Sequence, residues 1–332
     1  METVKGAIHT RSSASRTSGT GSGRGAWRDA WGRFRSQRWA MAGLVALVAA
    51  ALVAVAAPAI APHSPVSSDI RQAGAYRQAA WISDPNPMRT GTWTYPLGTD
   101  SVGRDVASRL IYGTRVSLLV GLIPTVMILL IGTSAGLVAG YAGGRVDAVI
   151  MRFADVLYAF PALLFFIVIQ VSLADTWIGS LFNGLVLLCL TLSILNWSSV
   201  ARLSRGETLS LIETEFVLAA RASGARTGRI VGRHILPNVL GPLLVFGALL
   251  APAAITAEAI LSYLGIGLKP DVRPGAPFPT SWGMMIFEGA AAWQSQPWML
   301  VAPTIAVALV SLAFAAIGDG LRDALDPHET MR

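Results

Sequence analysis

The sequence is poor in charge. Only 14% of its 332 residues are Asp, Glu, Lys or Arg, where a soluble domain carries about 25%. With 53% hydrophobic residues and a mean hydropathy of +0.55, it reads as an all-α chain that crosses a membrane repeatedly. Cysteine is nearly absent. Cys189 stands alone in an apolar run, which excludes an intramolecular disulfide and leaves the redox compartment unmarked. The phosphate-loop spacing GxxxxGK(S/T) does not occur, and neither does G-x-S-x-G or HExxH. His9, His63, His234 and His328 are scattered, none beside a metal-ligating partner at a workable spacing. These absences argue against a self-contained ATPase, a serine hydrolase or a zinc enzyme. The net charge of +7 does not point to nucleic acid. The arginines sit in short segments between apolar runs, as in the positive-inside bias of membrane proteins.

What is present is a series of apolar runs, at about 40–61, 116–140, 150–174, 182–201, 239–265 and 298–318. Each is near the roughly 20 residues that a spanning helix needs. The first is long for a signal peptide and begins too far from the N-terminus, so it reads as a span. Ahead of it, residues 1–39 are rich in Ser, Gly, Thr and Arg and are expected to be disordered. They end in an interfacial stretch marked by Trp27, Trp31, Phe34 and Trp39 among arginines. With the N-terminus inside, 18 of the 26 Lys and Arg residues fall on the inner side, eight of them in 1–39 and six in 202–238. Both termini are therefore expected to be cytoplasmic. The expected division is a basic tail (1–39), a first span with an outer loop (40–115), a core of spans two to six (116–318) holding a polar inner loop at 202–238, and a C-terminal tail (319–332). Residues 62–115 and 266–297 form the two substantial outer loops.

The inner loop contains EFVLAARASGARTGRIVGRHILPN, residues 215–238. Glu213 to Ser223 is expected to form a short helix with Thr214 as N-cap, ended by Gly224. Arg226 to Leu236 is expected to form a second helix, which Pro237 ends, unless Pro237 opens the next span. Ala219 and Ala220 offer a nearly bare backbone to an approaching surface. Phe216, Val217 and Leu218 supply apolar contact, and the arginines supply a cationic rim. On the residues alone, a docking helix-turn-helix and an ordinary basic loop fit equally.

The segment resembles the EAA loop of bacterial ABC-importer permeases. Ala219 and Ala220 match its two alanines, Gly224 its glycine, and Leu236 and Pro237 its L-P. Leu218 stands where that pattern has Glu, and His234 where it has Ile. Four further stretches resemble C-type permease subunits of dipeptide and oligopeptide importers: PLGTDSVGRDVASRLIYGTRVSLLVG (96–121), EAILSYLGIGL (258–268), SWGMMI (281–286) and GDGLRDALDP (318–327). Nickel permeases share these motifs.

The resemblance implies a type I importer permease fold with six transmembrane helices, in the bacterial inner membrane. It implies alternating access, driven from outside this chain. The expected partners are a second homologous permease subunit, two cytoplasmic ATPase subunits that hold ATP and Mg, an extracytoplasmic binding protein, and membrane lipid. No cofactor is expected in this chain, and no nucleic acid. Ala219, Ala220, Gly224, Leu236 and Pro237, carried over from the matching motif, are expected to couple the chain to the ATPase, together with their neighbours Glu215, Phe216 and Arg221.

Polar residues within the spans admit two readings each. Glu258, with Ser262 and Tyr263, is expected near the translocation path or an outer gate; the other reading is a hydrogen bond at a helix interface. Gln170 and Asn196 read as glue between helices, and Asp155 as a partner of Arg152 at i−3. Pro161, Pro242 and Pro252 allow kinks. An ion-coupled secondary transporter would need several coupling carboxylates and an internal repeat; Glu258 is one carboxylate, and no repeat is visible. A plain membrane anchor would not need the polar inner loop. The spans hold no clustered His, Cys or acidic residues, which favours peptide over nickel as cargo.

Overall fold

The computed structural model describes residues 23–68 and 70–325, with side chains from residue 28 onward. The helices in chain order are α1 (Gly23–Ser36), α2 (Arg38–Ile60), α3 (Ile70–Ala73), α4 (Val106–Ala142), α5 (Gly144–Tyr158), α6 (Ala162–Leu173), α7 (Trp177–Ser180), α8 (Leu185–Ile212), α9 (Glu215–Ala222), α10 (Thr227–Ile230), α11 (Leu236–Tyr263), α12 (Trp282–Ala291) and α13 (Trp298–Leu325). Among the described residues there are isolated β-bridges, such as Thr99 to Asp105, and no strand.

Among the described residues, five stretches are long and apolar enough to cross a membrane: α2, α4, α8 with the turns before it, α11 with the turns before it, and α13. The third expected span, 150–174, is broken. α5 and α6 meet at 85°, because Pro161 has no N–H to offer and disfavours a helical residue before it. Helix ends also differ from the apolar runs. α4 starts at Val106, well before residue 116, because the Asp105 carboxylate accepts from the N–H groups of Ala107 and Ser108 and caps the helix there. Residues 181–184 form a 3₁₀ turn with Phe182 and Asn183 at positive φ, so Asn183 precedes α8. α8 runs on to Ile212 and α13 to Leu325, past the expected boundaries. Residues 23–36, inside the tail expected to be disordered, form α1. Phe34 and Ala30 are buried there, Phe34 packing with Ala40 and Ala324, which offsets the entropy of ordering. Residues 1–22, the Trp27 side chain and residues 326–332 lie outside the described residues.

The bundle is built around α4 and α8. Gly132, Gly136 and Gly140, four residues apart on α4, face α8. A Cβ at Gly136 would fall 2.6 Å from the Ser204 Cβ, and one at Gly140 would fall 2.8 Å from the Thr208 Cβ. Small residues in such a row let two membrane helices approach closely. Arg205 on α8 then clamps Asp147 on α5 at 2.5 and 2.6 Å. α2 is tied to α4 by a different device. Pro58 lacks the N–H that would bond the Ala54 carbonyl; the Arg115 guanidinium donates to that carbonyl and, at 3.1 Å, to Val55 O.

The segments between α2 and α4 and between α11 and α13 close over the same end of the bundle as one cap. The Gln296 amide donates to Tyr76 O at 2.6 Å, and Trp81 meets Trp298 edge-on with centroids 5.1 Å apart. α9 and α10 occupy the opposite end.

Candidate docking helix and buried carboxylate site

α9 is short and held in a defined rotation. Val217 is completely buried against Ile230, Ile235 and Val239. Arg221 places its guanidinium 5.8 Å from the ring centre of Tyr141 on α4. Thr214 occupies the N-cap position, but its hydroxyl donates back to Leu211 O at 2.6 Å and does not cap the helix. Gly224 follows the helix at φ +75°, with open space around it.

With Val217 facing inward, the helical period presents Glu215, Phe216, Leu218, Ala219 and Ala222 outward. Phe216 and Leu218 are 45% and 48% exposed, large for apolar side chains on a cationic segment. Between them Ala219 and Ala222, at i and i+3, leave a low surface that another backbone can approach. Ala220, expected to share that surface, is instead half-buried against the core below, because it lies three residues from Val217 on the inner side. Ala222 was not anticipated; the i, i+3 spacing of small residues around Ala219 is the signal that marks it. Leu236 packs inward, while Pro237 is exposed. Pro237 ends no helix. From Thr227 the chain continues through a π-turn at Val231–Ile235 directly into α11.

The second site lies under the cap. Glu258 on α11 is fully buried. Its Oε1 accepts from the hydroxyls of Ser262 at 2.8 Å and Ser281 at 2.6 Å, and its Oε2 has no hydrogen-bond partner among the described residues. Ser281 also caps α12, accepting from Met284 N. Glu258 therefore latches α12 to the fifth span. Beside it is a cavity of about 460 Å³ whose lining includes Gln170, Asn183, Ser262, Met284 and Glu288. Ser262 joins the cavity to Glu258. Tyr263 is 55% exposed and is not brought together with them.

Glu288, in the lining of this cavity, belongs to a charge cluster whose members lie far apart in the sequence. Arg109 on α4 is buried, donating to Asp100 at 2.7 Å, to Thr280 at 3.2 Å and to Glu288 on α12. Arg104 also donates to Asp100, at 2.6 Å, and to Glu288, at 3.2 Å. Two guanidiniums and two carboxylates thus neutralise one another and lock the cap onto α4. Two expected pairings resolve differently. Asp155 meets Arg202 at 3.4 Å, across from α5 to α8, and not Arg152. Asn196 donates to Leu192 within its own helix at 2.8 Å and bridges no neighbour. Gln170 is buried at the cavity wall.

A family model described as "Binding-protein-dependent transport system inner membrane component" matches residues 132–330, and one described as the N-terminal TM domain of oligopeptide transport permease C matches residues 25–79. The oligopeptide transport system permease protein OppC of Bacillus subtilis is 38% identical over 91% of this chain and 89% of its own length. The dipeptide transport system permease protein DppC of the same organism is 38% identical over 90% and 85%. OppC of Escherichia coli K12 is 37% identical over 92% and 93%. A solved structure of the MetNI methionine ABC transporter in inward-facing form aligns over 64% of this chain and 96% of that chain, at 17% identity and a TM-score of 0.49.

Proposed function

Because the chain belongs to the family of binding-protein-dependent transport system inner membrane components, we propose that it is the transmembrane permease subunit of an ATP-driven importer of di- and oligopeptides. It is a multi-pass inner-membrane protein and a translocation subunit with no ATPase chemistry of its own. The cargo class follows from relatives named for oligopeptide and dipeptide transport.

The observation that carries the coupling role is the outward face of α9, with exposed Phe216 and Leu218 around a low alanine surface, at the end of the bundle opposite the cap. This face takes the ATPase subunit, Gly224 sets the aim of α9, and the cap faces the binding protein outside. Both termini are then cytoplasmic, in keeping with the Lys and Arg distribution. A second permease and two ATPase subunits holding ATP and Mg complete the complex. ATP binding moves α9, and the spans rock between inward and outward access. Each ligand shifts that equilibrium only by its difference in affinity for the two states.

The test is reconstitution with the second permease, the ATPase subunits and the binding protein in proteoliposomes. Labelled di- and oligopeptide should accumulate only with ATP and only when this chain is included. Uptake of nickel and not peptide, or peptide uptake without this chain, overturns the reading.

A further inference from the structure

α1 is neither a span nor a loose tail. It is a 14-residue helix, separated from the first span by one extended residue, Gln37. Its Phe34 edge is fixed by packing with Ala40 of α2 and Ala324 of α13. α13 has 28 residues, about 42 Å at 1.5 Å each, against a hydrocarbon core of about 30 Å. The last turns of α13 and the first turn of α2 thus lie at a membrane boundary, and α1 is packed against them there.

The side of α1 next to the buried edge is uncovered. Trp31 stacks on Phe34, with centroids 5.7 Å apart, yet is 53% exposed. Arg28 and Arg35, at i−3 and i+4, share its side of the helix, and both are exposed. At the elbow Arg38 is exposed and Trp39 is 83% exposed. None of these three arginines forms an ion pair among the described residues. Aromatic rings between guanidiniums at this depth match the headgroup layer, where a ring spans the polar and apolar zones and an arginine meets phosphate.

We propose that Trp31 and Trp39, with Arg28, Arg35 and Arg38, form a binding site for the headgroups of anionic phospholipid. Charge complementarity selects the occupant. Three guanidiniums without an ion pair among the described residues favour a surface that carries a net negative charge over a zwitterionic one. The site anchors the elbow between α1 and α2, and through Phe34 the end of α13, to the membrane surface.

The experiment uses the full-length chain in nanodiscs doped with photoactivatable phosphatidylglycerol or photoactivatable phosphatidylcholine at equal density. Adducts are mapped by mass spectrometry. Phosphatidylglycerol should label residues 28–39 several-fold more than phosphatidylcholine. Neutralising the arginines should lower that preference stepwise, and R28Q/R35Q/R38Q should abolish it. R28K/R35K/R38K, which keeps the charge, should retain most of it and shows that loss in the glutamine variant reflects charge. Equal labelling by the two lipids, or an unchanged preference in the glutamine variant, overturns the proposal. So does a photo-reactive residue at Trp31 that captures a polypeptide in membranes and no lipid, since the face would then belong to a protein partner.

Discussion

The hydroxyl of Ser281 at the start of α12 donates to Oε1 of Glu258 in α11 at 2.6 Å, across 23 residues of chain. Because Ser281 also caps α12, one side chain holds both the helix start and the latch. Ser281→Ala should remove the cap and leave a buried carboxylate oxygen short of a donor, at a combined cost of about 2–3 kcal/mol. Ser281→Thr should cost much less. Thermal unfolding of the purified chain in detergent checks the order, and equal melting of the two variants would count against the latch. Glu258→Gln keeps an acceptor for both serines. It should therefore melt close to wild type; a fall in peptide uptake without a fall in stability would place the carboxylate in transport itself.

Gly224 adopts φ +75° with nothing within 4 Å of an added Cβ. Space is free, so the cost of a side chain is in the backbone alone, roughly 1–2 kcal/mol or more for a β-branched residue. Gly224→Val should re-aim α9 and uncouple ATP hydrolysis from uptake while the bundle assembles normally. Gly224→Asn, which tolerates this region, should stay coupled. Uptake and ATPase rates on the reconstituted complex decide it; a fully active valine variant would show that α9 needs no fixed aim.

Ala219 is exposed and Ala220 half-buried on the same helix, so equal substitutions there should fail differently. Ala219→Glu should weaken co-purification of the ATPase and leave the melting temperature unchanged. Ala220→Glu drives a carboxylate toward Val217 and its neighbours and should lower the melting temperature as well. If Ala219→Glu retains the ATPase at wild-type yield, the outward face of α9 is not the docking surface.

The proposed orientation, which rests on the Lys and Arg distribution, puts the α9 end inside and the cap outside. Ser83 in the cap and Ser210 near the end of α8 are both exposed. In a Cys189→Ser background, Ser83→Cys should react with an impermeant thiol reagent on intact cells, and Ser210→Cys only after permeabilisation. Labelling of Ser210→Cys from outside would reverse the topology.

The apolar runs made the long helices legible, because a helix in lipid must be apolar over most of its length. Their ends were not, because the ends depend on polar details such as the Asp105 cap and the turn before Leu185. Arg109 looked like a loop arginine; its place inside α4 is decided by Asp100 nearby and by Glu288, 179 residues away in sequence. The candidate docking segment was recognisable by pattern, but its outward face was not. The rotation of α9 is set by Val217 burying against Ile230 and Ile235, which only the folded chain brings together. Glu258 was visible as a carboxylate in a span, while its partner Ser281 was hidden across the cap.

The central claim is that α9 transmits the ATPase cycle to this permease. A photo-cross-linking residue in place of Phe216, which is 45% exposed, tests it in membranes containing all subunits. The account predicts an adduct with the ATPase subunit whose yield changes when ATP binds, and no adduct with the binding protein. The contradicting result is no ATPase adduct from position 216 together with one from a cap position such as Ser83.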